Sequence, residues 1–121
     1  MIRGVVEKGS GRGKTEFVPT VNLMLEETPA DLDYGIYCCA IYIGGKKYFG
    51  ALHYGERSTI DDLVTFEVNI FDFNEDIYGE EVEVEVFDKI REIVKFRNKE
   101  ELQTQIEQDI LDARKLLKLD A

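Results

Sequence analysis

The chain has 121 residues, a size for one domain, and 44% of them are apolar, enough to build an ordered core. Fifteen Lys and Arg against 25 Asp and Glu give a formal net charge of −10. Such a surface repels phosphate backbones and anionic lipid, which argues against nucleic acid and membranes as partners. A polyanionic small molecule would need local help there: a metal ion, a few placed cations, or backbone N–H groups.

The longest apolar run, Ile36 to Ile43, is too short to span a bilayer, and the opening Met1-Ile2-Arg3-Gly4 lacks the apolar stretch of a signal peptide. A cytoplasmic location is expected.

The first predicted strand, Ile2–Val6, leads into Gly9-Ser10-Gly11-Arg12-Gly13-Lys14. Small side chains there let backbone N–H groups approach an anion, and Arg12 and Lys14 add positive charge. The spacing to Lys14 and the lack of a following helix exclude a Walker loop. Taken alone, the segment is more plainly a surface turn.

Thr20–Leu25 reads as extended, with Pro19 before it, where a missing N–H costs least. Residues two apart on a strand share a face, so the Thr20 hydroxyl and the Asn22 amide oxygen converge. Hard oxygen donors of low charge suit a magnesium ion that substrate phosphates also hold. A strand with an ordinary polar outer face is the commoner arrangement.

Ile36–Ile43 and Lys47–His53 flank Gly44-Gly45, the strongest hairpin signal in the chain. Cys38 and Cys39 are neighbours in this run, so their side chains point to opposite faces; two buried thiols are expected, with neither a disulfide framework nor a zinc site. Tyr37, Tyr42, Tyr48 and Phe49 are expected in the core. His53 is the only histidine, and it reads as a strand-end residue rather than a catalyst.

Thr65–Phe71 alternates, with Phe66, Val68 and Ile70 on one face and Thr65, Glu67 and Asn69 on the other. A carboxylate on a rigid strand can take a proton from a substrate hydroxyl; taken alone, Glu67 is a solvated glutamate. Glu81–Phe87 alternates too, with Val82, Val84 and Val86 inward and Glu81, Glu83 and Glu85 outward. The acidic rows at 72–76 and 80–85 read as solvated faces.

Asn98 is placed to cap a final helix, with Glu101 completing a capping box. Leu102, Ile106, Ile110, Ala113 and Leu117 then form one apolar stripe. Strands over about 1–90 and a helix over about 99–118 predict a mainly β protein, a compact antiparallel barrel with an amphipathic helix packed on it.

The order of these pieces resembles a known family. Gly4-Val5-Val6, then Gly9 to Lys14, then Pro19-Thr20-Val21-Asn22-Leu23 is similar to the start of the riboflavin kinase (flavokinase) family, whose glycine-rich loop runs into a Pro-Thr-Ala-Asn motif. The match continues through Gly35-Ile36-Tyr37, Tyr54-Gly55-Glu56-Arg57-Ser58-Thr59 and Phe66-Glu67-Val68. It goes on through Asp72-Phe73, Asp76-Ile77-Tyr78-Gly79, Arg91, Lys95-Phe96 and Glu100-Glu101-Leu102.

The resemblance covers essentially all of residues 1–121 and implies one riboflavin kinase domain, a six-stranded Greek-key barrel. It implies transfer of the γ-phosphoryl group of ATP to the 5′-hydroxyl of riboflavin, giving FMN, with Mg2+ or another divalent cation. By the same resemblance Thr20 and Asn22 hold the metal and Glu67 is the general base. Gly9, Gly11, Gly13 and Lys14 lie against the nucleotide phosphates, Tyr78 lies near the nucleotide, and Arg91 and Phe96 border the flavin.

Two features depart from the family pattern. Phe17 and Val18 precede Pro19 in a loop about one residue short, and Ser58 stands where the family often has proline. Within these 121 residues no FMN adenylyltransferase domain, which precedes the kinase in many bacterial homologues, is expected. The alternative function is a non-catalytic flavin- or nucleotide-binding module of the same fold. The Phe17 change favours it, and the retention of Thr20, Asn22 and Glu67 together counts against it. Nothing marks an obligate interface, so a monomer is expected.

Overall fold

The computed structural model describes residues 1–7, 20–56 and 64–119. Six strands are followed by one helix: β1 (Ile2–Val6), β2 (Thr20–Leu25), β3 (Gly35–Ile43), β4 (Lys46–Glu56), β5 (Val64–Ile70), β6 (Glu81–Arg91) and α1 (Lys99–Leu116). The strands close into a barrel in the order β1-β2-β5-β4-β3-β6, every neighbouring pair antiparallel. Within that order β6-β3-β4-β5 is a Greek key: three hairpin-linked strands, with the next returning beside the first.

The sequence pattern explains the closure. Val21 and Leu23 of β2, Phe66, Val68 and Ile70 of β5, and Val82 and Val84 of β6 fill the interior with Cys39, Ile41 and Leu52. Val86 continues the β6 alternation but is only partly buried at the edge of that cluster. Gly44 (φ 57°) and Gly45 (φ 82°) turn β3 into β4 through left-handed backbone that suits glycine. At Gly50 a Cβ would collide with the Asn69 carbonyl oxygen, so β4 and β5 approach closely where the polar face is built.

The helix lies outside the barrel. Ala113, Ile110 and Leu117 cover Cys38, Ala51 and Phe71, while Cys39 belongs to the interior cluster. The two thiols therefore face opposite ways, both buried, and burial pushes each above the ordinary cysteine value.

Asn98 caps α1, its Oδ1 accepting from the Glu101 N–H at 2.9 Å. The Glu101 carboxylate accepts from the Arg97 N–H instead, at 3.3 Å, so the box closes one residue earlier than expected. The apolar stripe is corrected at its start: Leu102 is 43% exposed, whereas Asp109 is buried with Ala113. An ion pair to β6, described below, turns this carboxylate inward and concentrates the packing in the C-terminal half of the helix. Among the described residues no helix is long and apolar enough to cross a membrane.

Candidate active site

Because Val21 and Leu23 point into the barrel, Thr20 and Asn22 point out of it. The same alternation sends Thr65, Glu67 and Asn69 outward from β5. Register aligns the two sets: Thr20 lies opposite Asn69, and Asn22 lies opposite Glu67. The Thr20 hydroxyl donates to Asn69 Oδ1, and the Thr65 hydroxyl donates to Glu67 Oε1 at 3.2 Å.

The row containing Glu67 continues around the barrel. Glu67 pairs with His53 of β4, His53 with Ile36 of β3, and Ile36 with Arg91 of β6. One cross-strand row thus runs from Asn22 through Glu67 and His53 to Arg91, all on the outer face. The expectation for His53 is corrected here, because β4 continues to Glu56 and the ring sits within a paired row. Burial pushes its imidazole below the ordinary histidine value, against the pull of the Glu67 carboxylate; Arg91 adds to the lowering and Asp109 opposes it. Its Nδ1 is buried without a hydrogen-bond partner among the described residues.

At the far end of the row, the Arg91 side chain binds Asp109 of α1 through two nitrogens at 2.7 Å each. Its guanidinium carbon lies 5.9 Å from the centre of the Phe96 ring. Asp109 was not singled out from sequence. The signal was present in its spacing, since a carboxylate three residues after Ile106 and four before Ala113 lies on the packed face and requires a cation.

Tyr78 is 59% exposed in the turn before β6. With Gly79, Val5, Val6, Glu7 and Met24 it lines a recess beside the end of β1, and the Gly79 N–H donates to the Val6 carbonyl at 2.9 Å. Glu7 in turn donates its N–H to the Asn22 carbonyl at 2.9 Å, tying this recess to the strand that bears Asn22. Gly9, Gly11, Gly13, Lys14, Phe17 and Ser58 lie outside the described residues.

The outer face fits a divalent cation shared with phosphates. No cluster of three or more His, Cys, Asp or Glu exists among the described residues, and the oxygen donors that Thr20 and Asn22 bring to this face are neutral. Thr20 gives its hydroxyl proton to Asn69, which leaves the oxygen lone pairs for a hard cation, and Asn22 supplies an amide oxygen from the same face.

Comparison with known proteins agrees with this architecture. Residues 1–117 match the family model described as "Flavokinase: Riboflavin kinase". The chain is 34% identical over 116 residues to the "Bifunctional riboflavin kinase/FMN adenylyltransferase" of Bacillus subtilis (strain 168), covering 93% of this chain and 37% of that protein. It is 33% identical over 112 residues to the "RNA-binding riboflavin kinase RibR" of the same organism, covering 91% of this chain and 48% of that protein. Of the "Trifunctional protein RibF/MnmA" of Mycoplasmoides gallisepticum it is 37% identical over 109 residues, covering 89% of this chain but 17% of that protein. The chain therefore spans less than half the length of each of these relatives. A solved structure titled "Crystal Structure of Macrolide-efflux Protein from Streptococcus pneumoniae" superposes with a TM-score of 0.76 at 40% identity, covering 89% of this chain and 36% of that one. On the family match, the barrel and the relatives together, the chain belongs to the riboflavin kinase family.

Proposed function

We propose that residues 1–121 act as a riboflavin kinase domain, transferring the γ-phosphoryl group of ATP to the 5′-hydroxyl of riboflavin to give FMN. The observation that supports this most is the alignment of Thr20, Asn22 and Glu67 on one outer face, with Asn22 and Glu67 directly opposed. Phosphoryl transfer asks a protein mainly for positioning and charge stabilisation, and a rigid barrel wall provides the first.

In this reading Thr20 and Asn22 hold Mg2+ or another divalent cation together with the ATP phosphates. When bound, the cation neutralises charge on the phosphoryl oxygens. Glu67 accepts the proton of the ribityl hydroxyl as that oxygen attacks, and Thr65 holds its Oε1. Gly9, Gly11, Gly13 and Lys14 are assigned to the phosphates by resemblance, and Tyr78 to the nucleotide. Arg91 and Phe96 border the flavin, with the Arg91 guanidinium committed to Asp109 rather than free for an anion.

The test is direct. The 121-residue chain incubated with riboflavin, ATP and magnesium should yield FMN on chromatography. Retained flavin or nucleotide binding with no FMN would favour the non-catalytic module instead.

A further inference from the structure

The row on the outer face contains one polar side chain that the proposed reaction does not use. His53 lies directly opposite Glu67 in the β4–β5 register, beyond the reach of sequence reasoning that treated it as a strand end. Its Nδ1 is buried and unpaired among the described residues. Among the described residues the Glu67 carboxylate accepts one side-chain hydrogen bond, from the Thr65 hydroxyl at 3.2 Å to Oε1. A carboxylate has room for several donors, and the imidazole stands at the opposed position on β4. Opposed residues of an antiparallel pair bring their side chains within contact distance.

We propose that His53 is a positioning residue for Glu67: the two occupy opposed positions without a hydrogen bond in this structure, and a turn of the ring brings Nδ1–H onto the carboxylate, which is then gripped between Thr65 on its own strand and His53 on the next, facing the acceptor hydroxyl. This rests on the reading of Glu67 as the base. The charged groups around the ring are consistent with a neutral donor. Glu67 stands on one side and Arg91 with its partner Asp109 on the other, and burial disfavours the imidazolium. A neutral ring carries a single N–H, so the tautomer decides whether the carboxylate is held.

Two measurements test this. In steady-state kinetics, His53→Leu should lower kcat about 10- to 100-fold with little change in the riboflavin KM, the range expected for one hydrogen bond to a charged group. His53→Asn carries an amide donor near the position of Nδ1 and should recover to within a few-fold. In a Glu67→Gln background, His53→Leu should cost almost nothing further, because the group it positions no longer acts as a base. The protein has a single histidine, so 15N NMR of the imidazole reads its tautomer without ambiguity and without turnover. The proton should reside on Nδ1 at neutral pH, and its signal should move in Glu67→Gln.

A proton on Nε2 in both proteins would overturn the proposal. So would an unchanged kcat in His53→Leu, or an equal loss with and without Glu67. Absence of FMN from the parent chain would instead strike the kinase reading, and the NMR result would still decide the His53–Glu67 contact.

Discussion

Arg91 of β6 and Asp109 of α1 form two parallel hydrogen bonds, Nε to Oδ1 and Nη2 to Oδ2, each 2.7 Å long. The third guanidinium nitrogen, Nη1, donates to the Glu92 carbonyl at 2.9 Å, and Gln105 Nε2 adds a bond to Asp109 Oδ1 at 3.0 Å. Asp109 is only 4% exposed, so this is a bracket that fixes the helix and the 92–98 segment to the barrel wall.

Removing one member leaves the other charge poorly solvated. Asp109→Ala should therefore destabilise the fold by about 3 kcal/mol, the lower end for breaking a buried pair because Arg91 keeps some exposure. Urea denaturation measures this directly. The variant should also lose flavin affinity if Phe96, which lies beside the guanidinium, borders the flavin. Parent-like stability in Asp109→Ala would mean the bracket is dispensable.

The His53 environment predicts a pH dependence of stability. Its folded value lies below the ordinary 6.5 because of burial, so the unfolded chain binds the proton more readily. Stability contributed by the neutral ring is fully present above about pH 6.5 and falls as pH drops towards the lower folded value. Urea midpoints at about pH 7.5 and about pH 5.5 should differ more for the parent than for His53→Asn, which lacks the titrating ring. Equal slopes would show that the ring is charged in the folded protein as readily as in the unfolded one.

Asn22→Ala tests the metal assignment. Asn22 is only partly exposed on its strand, so the fold should persist with a loss in the ordinary range for a point substitution, about 0.5–3 kcal/mol. Magnesium-dependent binding of ATP should weaken, and the magnesium concentration needed for half-maximal activity should rise. Full activity at low magnesium would remove Asn22 from the metal site.

Much of this architecture was legible in the sequence because it rests on periodicity. The alternation of Phe66, Val68 and Ile70 fixed the outward direction of Glu67, and the spacing of Thr20 and Asn22 placed both on one face. What periodicity does not contain is register. That Asn22 faces Glu67, and that Glu67 faces His53, depends on which strands pair and with what offset. His53 therefore looked like a strand end, although it lies beside the proposed base. Asp109 was missed for a related reason: its partner Arg91 is 18 residues away on another element, and only packing brings the two together. Leu102 shows the converse, since an apolar residue at stripe spacing is exposed once that ion pair has set which part of the helix packs.

The last prediction concerns the chemistry. Glu67 stands on a strand whose neighbours Phe66 and Val68 are 3% and 0% exposed, so its backbone is anchored by the core and its carboxylate by Thr65. A primary ribityl hydroxyl is a weak nucleophile near neutral pH, and a positioned base typically contributes about 10²- to 10⁴-fold to such a transfer. Glu67→Gln preserves size and a hydrogen-bond acceptor while removing basicity. Turnover should fall within that range, whereas the affinities for ATP and riboflavin should change little, because the lost interaction acts on the transition state more than on bound substrate. Single-turnover assays on folded Glu67→Gln protein at saturating substrates separate the chemical step from binding. A rate within a few-fold of the parent would show that the proton leaves by another route, and that alignment of the phosphoryl donor with the hydroxyl supplies the acceleration by itself.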